Sequence, residues 1–513
     1  MSAVAGTAAT ASSATAGSAT ASAGSAPRIV VVGGGLAGMA AALEAADAGA
    51  GVVLVERRTR LGGLTWSFDR KGLSFDNGQH VWLRCCTAYR SFLDRIGAAG
   101  EVHVQRRLDV PVMAPGGVTA HISRTAVPLP SPLHLAPSLL AYRHLSLLDR
   151  LRLGRAVAAL RRVRMDDPAL DKETFASWLA RHGQSASAVE RLWDLVVLPT
   201  VNVTAADASL ALAAKVFRTG LLDTTDGADI GWSAIPLAEL HGGYGSRALA
   251  AAGVESLLGT TVDAVERTTG GAGAEASAGA PLCVVAGERR LPADAVIVAL
   301  SHTDAPRVLP RGAVGDLSAL GSSPIVNVHL VLDRKVMHVP FTAAVGSPVQ
   351  YVFDHTDASG VRTCESLPAA TRATAQCLTI SLSSADAYVG LHPDQLVRTF
   401  HDALGQLFPP ARDAQLLDGV VSKEHTATFR GVPGTAALRS APETGAAGVF
   451  VAGAWCDTGW PATLEGAVRS GTAAAAAALR HTRQTSTAAG HSASSGGASA
   501  HGTPARPLLE ASA

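Results

Sequence analysis

Three glycines, a carboxylate and a further pair of glycines near the start of this chain have the types and spacing to hold a phosphorylated cofactor. The run Arg28-Ile-Val-Val-Val-Gly33-Gly34-Gly35-Leu36-Ala37-Gly38 carries the spacing Gly33-x-Gly35-x-x-Gly38. In such a run the first glycine permits a tight turn, the second lets backbone approach a pyrophosphate, and the third lets a helix pack on the strand. The helix start, with the N–H groups of Leu36 and Ala37, offers a partial positive charge to the phosphates. Val52-Val-Leu-Val-Glu56 then ends a second strand in an acid, placed to accept hydrogen bonds from both ribose hydroxyls. The chemistry is that of a bound dinucleotide. The continuation Glu56-Arg57-x-x-x-Leu61-Gly62-Gly63-Leu64 exceeds what a nicotinamide-nucleotide domain needs. It suits a cofactor that extends past the second strand.

The elements that must position these residues are legible from pattern. Residues 28 to 66 read strand, glycine turn, Ala-rich helix, strand, second glycine turn. Helical, Leu- and Arg-rich stretches cover 133–164 and 170–222, around Trp178, Trp193 and Leu195, and form a helical insert. Short β-rich runs come next at 254–265, 282–286, 295–300, 325–332 and 378–382, with a loose hairpin tip over 269–280. A strand, a Gly/Pro turn and a helix return at 446–479. The chain of 513 residues is 47% hydrophobic and 17% charged, enough apolar material for an ordered body of two or three domains. Lys+Arg 43 against Asp+Glu 42 leaves +1, which removes the electrostatic case for a nucleic-acid binder. Six cysteines with one adjacent pair and no CxxC fit neither a disulfide framework nor a zinc site, so a cytoplasmic setting is expected. Residues 1–26 carry no charge and lack the basic start and Leu-rich centre of a signal peptide; together with 481–513 they read as disordered tails. No apolar run of about 20 residues is present to cross a bilayer.

On the paired glycine motifs the chain resembles the flavin amine oxidase and phytoene desaturase superfamily. The resemblance continues at Val449-Phe-Val-Ala-Gly453-Ala454-Trp455-Cys456-Asp457-Thr-Gly459-Trp460-Pro461-Ala-Thr-Leu-Glu465-Gly466-Ala467, which looks like that superfamily's second flavin motif. It implies an α/β fold with a Rossmann-like FAD-binding domain of flavin amine oxidase type and a second, α+β substrate domain. The FAD domain would be assembled from 27–90, 241–310 and 426–480, and the substrate domain from a largely helical 91–240 and from 311–425. It implies non-covalent FAD held by Gly33, Gly35, Leu36, Ala37, Gly38, Glu56, Arg57, Gly62, Gly63, Leu64, Gly453, Ala454, Glu465, Gly466 and Ala467, with Val262 binding the adenine through its backbone. Gly466 and Ala467 are expected to open the helix that faces the ring. Many relatives carry an acid where this chain has Ala454; Asp457 or a backbone group is left to hold the ribityl hydroxyl. Cys456 matches no cysteine known to carry the flavin covalently, and reads as a small buried thiol.

Phe75-Asp76-Asn77-Gly78-Gln79-His80, Trp193 through Pro199-Thr-Val-Asn202, Ser323-Pro-Ile-Val-Asn327-Val-His329 and Gly346-Ser-Pro-Val-Gln350-Tyr-Val-Phe353-Asp354 narrow the resemblance to the hydroxysqualene dehydroxylases, over about residues 28–480. This implies a hydrophobic C30 isoprenoid substrate and removal of its hydroxyl to give squalene for hopanoid or related synthesis. A carotenoid-type desaturase is the alternative within the fold, and a non-catalytic flavin-binding subunit the alternative outside it. An allylic alcohol without a carbonyl reacts by protonation, loss of water and hydride capture, which requires a proton donor in an apolar channel. His80 is the candidate donor; alternatively Gln79 and His80 brace backbone. His329 reads as structural and Asp76 as a turn cap. Asp166-Asp167-Pro168-Ala-Leu-Asp171 imitates a magnesium-diphosphate motif, but Pro168 breaks the helix such a motif requires. The stretch 138–164 carries Arg143, Arg150, Arg152, Arg155, Arg161, Arg162 and Arg164 among leucines. It suits either peripheral contact with anionic lipid on the inner face of the cell membrane or a solvated helix.

Overall fold

The structure is a computed structural model that describes residues 26–267 and 282–495. Strand β1 (Arg28–Val32), helix α1 (Leu36–Asp47) and strand β2 (Gly51–Val55) form the opening unit. Both strands are apolar on both faces and buried beyond their first residue, a pattern that survives only in a sheet covered on both sides. They lie in a five-stranded parallel sheet with β3 (Glu255–Leu257), β4 (Ala295–Val298) and β5 (Val449–Val451), in the spatial order β3-β2-β1-β4-β5. The order reverses between β1 and β4, so the connections leaving their carboxyl ends part and open a crevice. The turn of Gly33 to Gly35 sits at that crevice.

Besides α1, four helices shape the site and its surroundings: α2 (Thr87–Arg95), the pair α3 (Ala136–Ala141) and α4 (Leu147–Leu160), and the long α5 (Leu464–Ser495). Helix α5 lies along α1 at backbone contact. A Cβ on Gly471 would stand 2.1 Å from the Ala37 carbonyl oxygen, and one on Gly38 would stand 1.8 Å from that of Gly33. A second, seven-stranded sheet runs in the order 416–428, 323–332, 376–382, 351–354, 341–344, 109–114, 118–123. All its pairs are antiparallel except 341–344 with 109–114. Its core joins Val326, Val328 and Leu330 to Leu378, Ile380 and Phe400 of the helix Pro393–Leu407. The hairpin 67–70/73–76 delivers the chain to this sheet, where the Asn77 carbonyl accepts bonds from Asn327 Nδ2 and Ser422 Oγ, both at 3.1 Å.

Some elements differ from the sequence pattern. The segment 91–240 is not continuously helical: after α2, strands at 102–104, 109–114 and 118–123 precede the helices of its middle, and the strand 230–233 follows them. Strands 109–114 and 118–123 pair with each other in a hairpin across Gly116-Gly117, and 102–104 pairs with 230–233. The run 254–265 divides into Glu255–Leu257 and Ala264–Arg267, which belong to different sheets. Gly259, at φ 66°, turns the backbone between them. Helix α5 continues through Ser495 although the composition predicts a tail from 481, because each added residue gains a hydrogen bond once the packed first turns exist. Of the tails expected at 1–26 and 481–513, residues 1–25 and 496–513 lie outside the described residues, as does the hairpin tip expected at 269–280. No helix among the described residues is long and apolar enough to cross a membrane.

The α1–α5 contact gives a direct stability prediction. Gly471→Ala pushes a methyl group into the Ala37 carbonyl and should cost about 1 to 3 kcal/mol, the usual range for overpacking. The check is the midpoint of thermal unfolding; an unchanged midpoint would show that the two helices separate freely.

Candidate active site

The glycine turn after β1 is built to present unpaired N–H groups. Gly33 lies at φ 108°, and its N–H is bonded to Val55 O at 2.8 Å. Gly35 is the N-cap of α1 and gives no side-chain cap. Met39 N is the first amide with a helical acceptor, Gly35 O at 2.9 Å, and the N–H groups of Gly35, Leu36, Ala37 and Gly38 have no acceptor among the described residues. Four convergent orphan donors at a helix start are an anion site. Gly35 and Gly63 approach so closely that a Cβ on Gly63 would be 2.9 Å from the Gly35 Cα. A pyrophosphate-bearing dinucleotide fits this cradle.

Glu56 ends β2 as expected, and it does more than await a ribose. Its carboxylate, 8% exposed, accepts the Gly34 N–H at 2.7 Å and the Arg58 N–H at 2.8 Å, one on each oxygen. Each oxygen keeps a second lone pair for a ribose hydroxyl. Val262 lies in the loop after β3, buried, with neither its N–H nor its carbonyl engaged by a described residue, as backbone recognition of a base requires. Gly62, at φ 102°, and Gly63, at φ 59°, form the second turn. Leu64 is exposed there, and Arg57 points to the surface, 3.6 Å from Asp304. Its neighbour Arg60, which no spacing in the sequence singles out, reaches back to Gly63 O and stacks over Trp66 at 4.3 Å. Partial burial lowers its pKa to about 10.

The C-terminal turn joins this cradle from the other end of the chain. Gly453 follows β5 at φ 154°, with its N–H held by Ser470 Oγ of α5 at 2.9 Å. Helix α5 begins at Leu464, two residues before the expected Gly466, and Thr463 satisfies the N–H groups of Gly466 (through Oγ1, 3.2 Å) and Ala467 (through its carbonyl, 3.0 Å). The orphan donors of this terminus are therefore the N–H groups of Leu464 and Glu465. The Glu465 side chain serves elsewhere: fully buried, it accepts the N–H groups of Ala88 and Tyr89 at the start of α2 and pairs with Arg469 at 2.6 Å. It is a cap for α2 supplied from across the fold, which leaves the backbone N–H of Glu465, and not its carboxylate, to face a ligand. Ala454 is half-buried beside Gly453, whereas Asp457 is exposed and accepts the Gly459 N–H, a local turn contact. Cys456 is buried, and burial pushes its thiol up to about 12.

Arg439 organises the whole turn and was not legible in the sequence. It is buried and donates to the carbonyls of Trp455, Cys456 and Trp460, at 3.1, 2.5 and 2.7 Å. A guanidinium with five fixed donors can gather three carbonyls that a helix or strand would otherwise satisfy. No spacing in the sequence ties residue 439 to residues 455–460.

Between the cradle and the antiparallel sheet runs the segment Asp76 to His80. Asp76 is buried and accepts from Ser67 Oγ at 2.6 Å and Leu237 N at 3.0 Å, joining two elements instead of capping a turn. Gln79 bonds His355, whose ring lies 3.9 Å from Asp76. His80 is half-buried, with Nδ1 2.9 Å from Gly78 O. That bond fixes the tautomer with the proton on Nδ1, so Nε2 of the neutral ring is an acceptor. Burial lowers the pKa of the ring, so only below the ordinary histidine range does it hold a proton at Nε2 to give away. Behind it, His241 is wholly buried, bonded through Nε2 to Tyr89 Oη at 2.8 Å, with Nδ1 unpartnered and its pKa pushed down to about 3 by burial. His329 is buried and bonded to Thr379 Oγ1 at 2.9 Å inside the sheet, the structural role expected of it. Asp167 caps a short helix and Asp171 binds Ser209 Oγ and Ala436 N; among the described residues no cluster of three ligand-type side chains offers a metal site.

The arrangement is thus a dinucleotide cradle and, after the hairpin 67–70/73–76, a seam in which His80, His241 and His355 lie close to one another and to the buried Asp76 carboxylate. The profile of the family described as flavin containing amine oxidoreductase matches residues 36–479. A hydroxysqualene dehydroxylase of Rhodopseudomonas palustris is 26% identical over 462 residues, covering 87% of this chain and 96% of that relative. A zeta-carotene desaturase of Arabidopsis thaliana is 23% identical over 477 residues, 86% of this chain and 84% of that relative. Among solved structures, cyclohexylamine oxidase from Brevibacterium oxydans superposes with a TM-score of 0.63 at 20% identity, covering 90% of this chain and all of that one, a likeness of fold.

Glu56 supplies the prediction from this geometry. Glu56→Gln sets an amide NH2 against either the Gly34 or the Arg58 N–H, so the turn opens while a ribose contact is lost. The flavin titrated into the apoprotein should bind about 1 to 3 kcal/mol more weakly, read by flavin fluorescence.

Proposed function

The chain belongs to the flavin containing amine oxidoreductases, and from that membership we propose that it is an FAD-dependent enzyme that converts hydroxysqualene to squalene. The family makes it a flavin-dependent oxidoreductase. FAD is the flavin its cradle fits, since the orphan donors of Gly35 to Gly38 suit a diphosphate, Glu56 a ribose and the free backbone of Val262 an adenine. The buried Cys456, a protonated thiol at neutral pH, favours non-covalent binding. The observation that carries the choice of substrate is the co-linear match over nearly the whole of a hydroxysqualene dehydroxylase, at higher identity than the carotene desaturase matched over comparable length.

When bound, the flavin supplies the hydride equivalent that replaces the hydroxyl. The chain's own residues do the rest. The N–H groups of Leu464 and Glu465, free of acceptors, would stabilise negative charge on a bound flavin. His80 Nε2 accepts the substrate hydroxyl and, when the ring is charged, returns a proton to the leaving oxygen. The balance is one alcohol, one proton and one hydride giving one hydrocarbon and one water.

A second reading, desaturation of a carotene, rests on the zeta-carotene desaturases among the relatives. Anaerobic incubation of enzyme carrying chemically reduced FAD with hydroxysqualene should yield squalene. Dehydrogenation of phytoene by the oxidised enzyme, with hydroxysqualene untouched, would favour the second reading.

The sign of the pH dependence is also set. Because the charged ring is the donor and burial lowers its pKa, the rate should rise as pH falls through and below 6.5. His80→Gln should remove that rise and about 10²-fold of the rate. A flat profile in the unaltered protein would exclude His80 as the acid.

A further inference from the structure

We propose that the elbow formed by α3 and α4, with the loop before it, docks on an anionic lipid bilayer. Of the ten large apolar side chains exposed among the described residues, six fall between residues 127 and 151: Val127, Leu133, Leu140, Leu147, Leu148 and Leu151. Leu147 is 68% exposed and Leu151 64%, so these leucines stand clear of the body. Helix α4 already buries Leu153, Ala156 and Leu160 against the core, and its outward leucines therefore form a second apolar face that the fold does not need.

The cations are arranged to match. Leu148, Arg152 and Arg155 are spaced four and three residues apart, on one side of the helix. Arg143, Arg152, Arg155, Arg161 and Arg162 are exposed, and none has a carboxylate within 4.0 Å among the described residues. The acids nearby are otherwise disposed. Asp149 is buried under Ser146, Asp166 pairs with Arg164, and Asp167 caps the next turn. Arg150, which the sequence pattern groups with the docking cations, braces the elbow through Leu145 O and Leu140 O at 3.0 Å each. Leucines at a tip with unneutralised guanidinium groups behind them are complementary to an acyl layer under anionic headgroups. An acidic protein partner would match the arginines and leave the leucines in water. This docking surface does not depend on the identity of the substrate.

Co-sedimentation of the full chain with phosphatidylcholine vesicles, with and without phosphatidylglycerol, tests it. Binding should be at least tenfold tighter to the anionic vesicles and should fall with added salt. Leu147→Ser/Leu148→Ser/Leu151→Ser should abolish it, and Arg152→Gln/Arg155→Gln should weaken it about 25-fold, taking about fivefold per arginine. Hydrogen exchange of the unaltered protein should show vesicle-induced protection confined to 127–162, an outcome that does not depend on any variant folding. No binding, equal binding to neutral vesicles, an unaffected leucine variant, or protection elsewhere would each overturn the proposal.

Discussion

Backbone meets backbone where a single methyl group would not fit, and the rest of the site depends on three such contacts in particular. Gly38 sits on the Gly33 carbonyl, Gly471 on the Ala37 carbonyl, and Gly63 on Gly35. The first lets α1 start close enough to the sheet for its N–H groups to converge. The second lays α5 along α1, which fixes two helix N-termini relative to one another although their sequences stand at opposite ends of the chain. The third closes the second glycine turn over the first. Interiors packed to this density have no slack to absorb a side chain, so the positions of the orphan donors are set by contact and not by flexible side chains.

Within that frame the polar groups obey a common rule: nearly every buried charge is used to hold backbone. Glu56 fastens the glycine turn to the end of β2, Glu465 caps α2 from α5, and Arg439 gathers the carbonyls of the C-terminal turn. Each satisfies groups that would be costly to bury alone. What is left unsatisfied is therefore informative. The free N–H groups at Gly35 to Gly38 and at Leu464 and Glu465 are donors without acceptors, the two anion-seeking regions expected of a phosphorylated cofactor with a ring that gathers charge. The strip of His80, His241 and His329 differs in kind. Burial lowers the pKa of each of its imidazoles, while the Asp76 carboxylate in the same seam opposes that shift at His80.

The two sheets divide the labour of the site. The parallel sheet is closed on both sides by helices and offers only its carboxyl edge. The antiparallel sheet brings Asn327 and Ser422 against the Asn77 carbonyl, so the segment 76–80 becomes a seam between the layers. The α3–α4 elbow extends from the far end of that sheet, next to the strand 118–123, where Ser138 Oγ bonds the backbone of Ser123.

The order of strand, glycine turn, helix, strand and acid was legible in residues 28 to 56 because that unit is local: period, glycine spacing and one terminal carboxylate specify it within a single βαβ stretch. The C-terminal turn was legible for the same reason, as was the burial of Cys456. The function of each side chain in those motifs was less so. Glu465 and Arg57 belong to the motif by position, yet one caps a helix 376 residues away in the chain and the other points to the surface. Arg439, His241 and Asn327 carry no local signal, since their partners are fixed only when segments hundreds of residues apart are packed together. The sequence by itself determined which backbone could turn and which runs had to be buried, because those arise from sterics and hydrophobicity along the chain. Tertiary structure alone decided which donors were left without acceptors, which tautomer His80 holds and which arginines face outward, because each depends on what arrives from elsewhere in space.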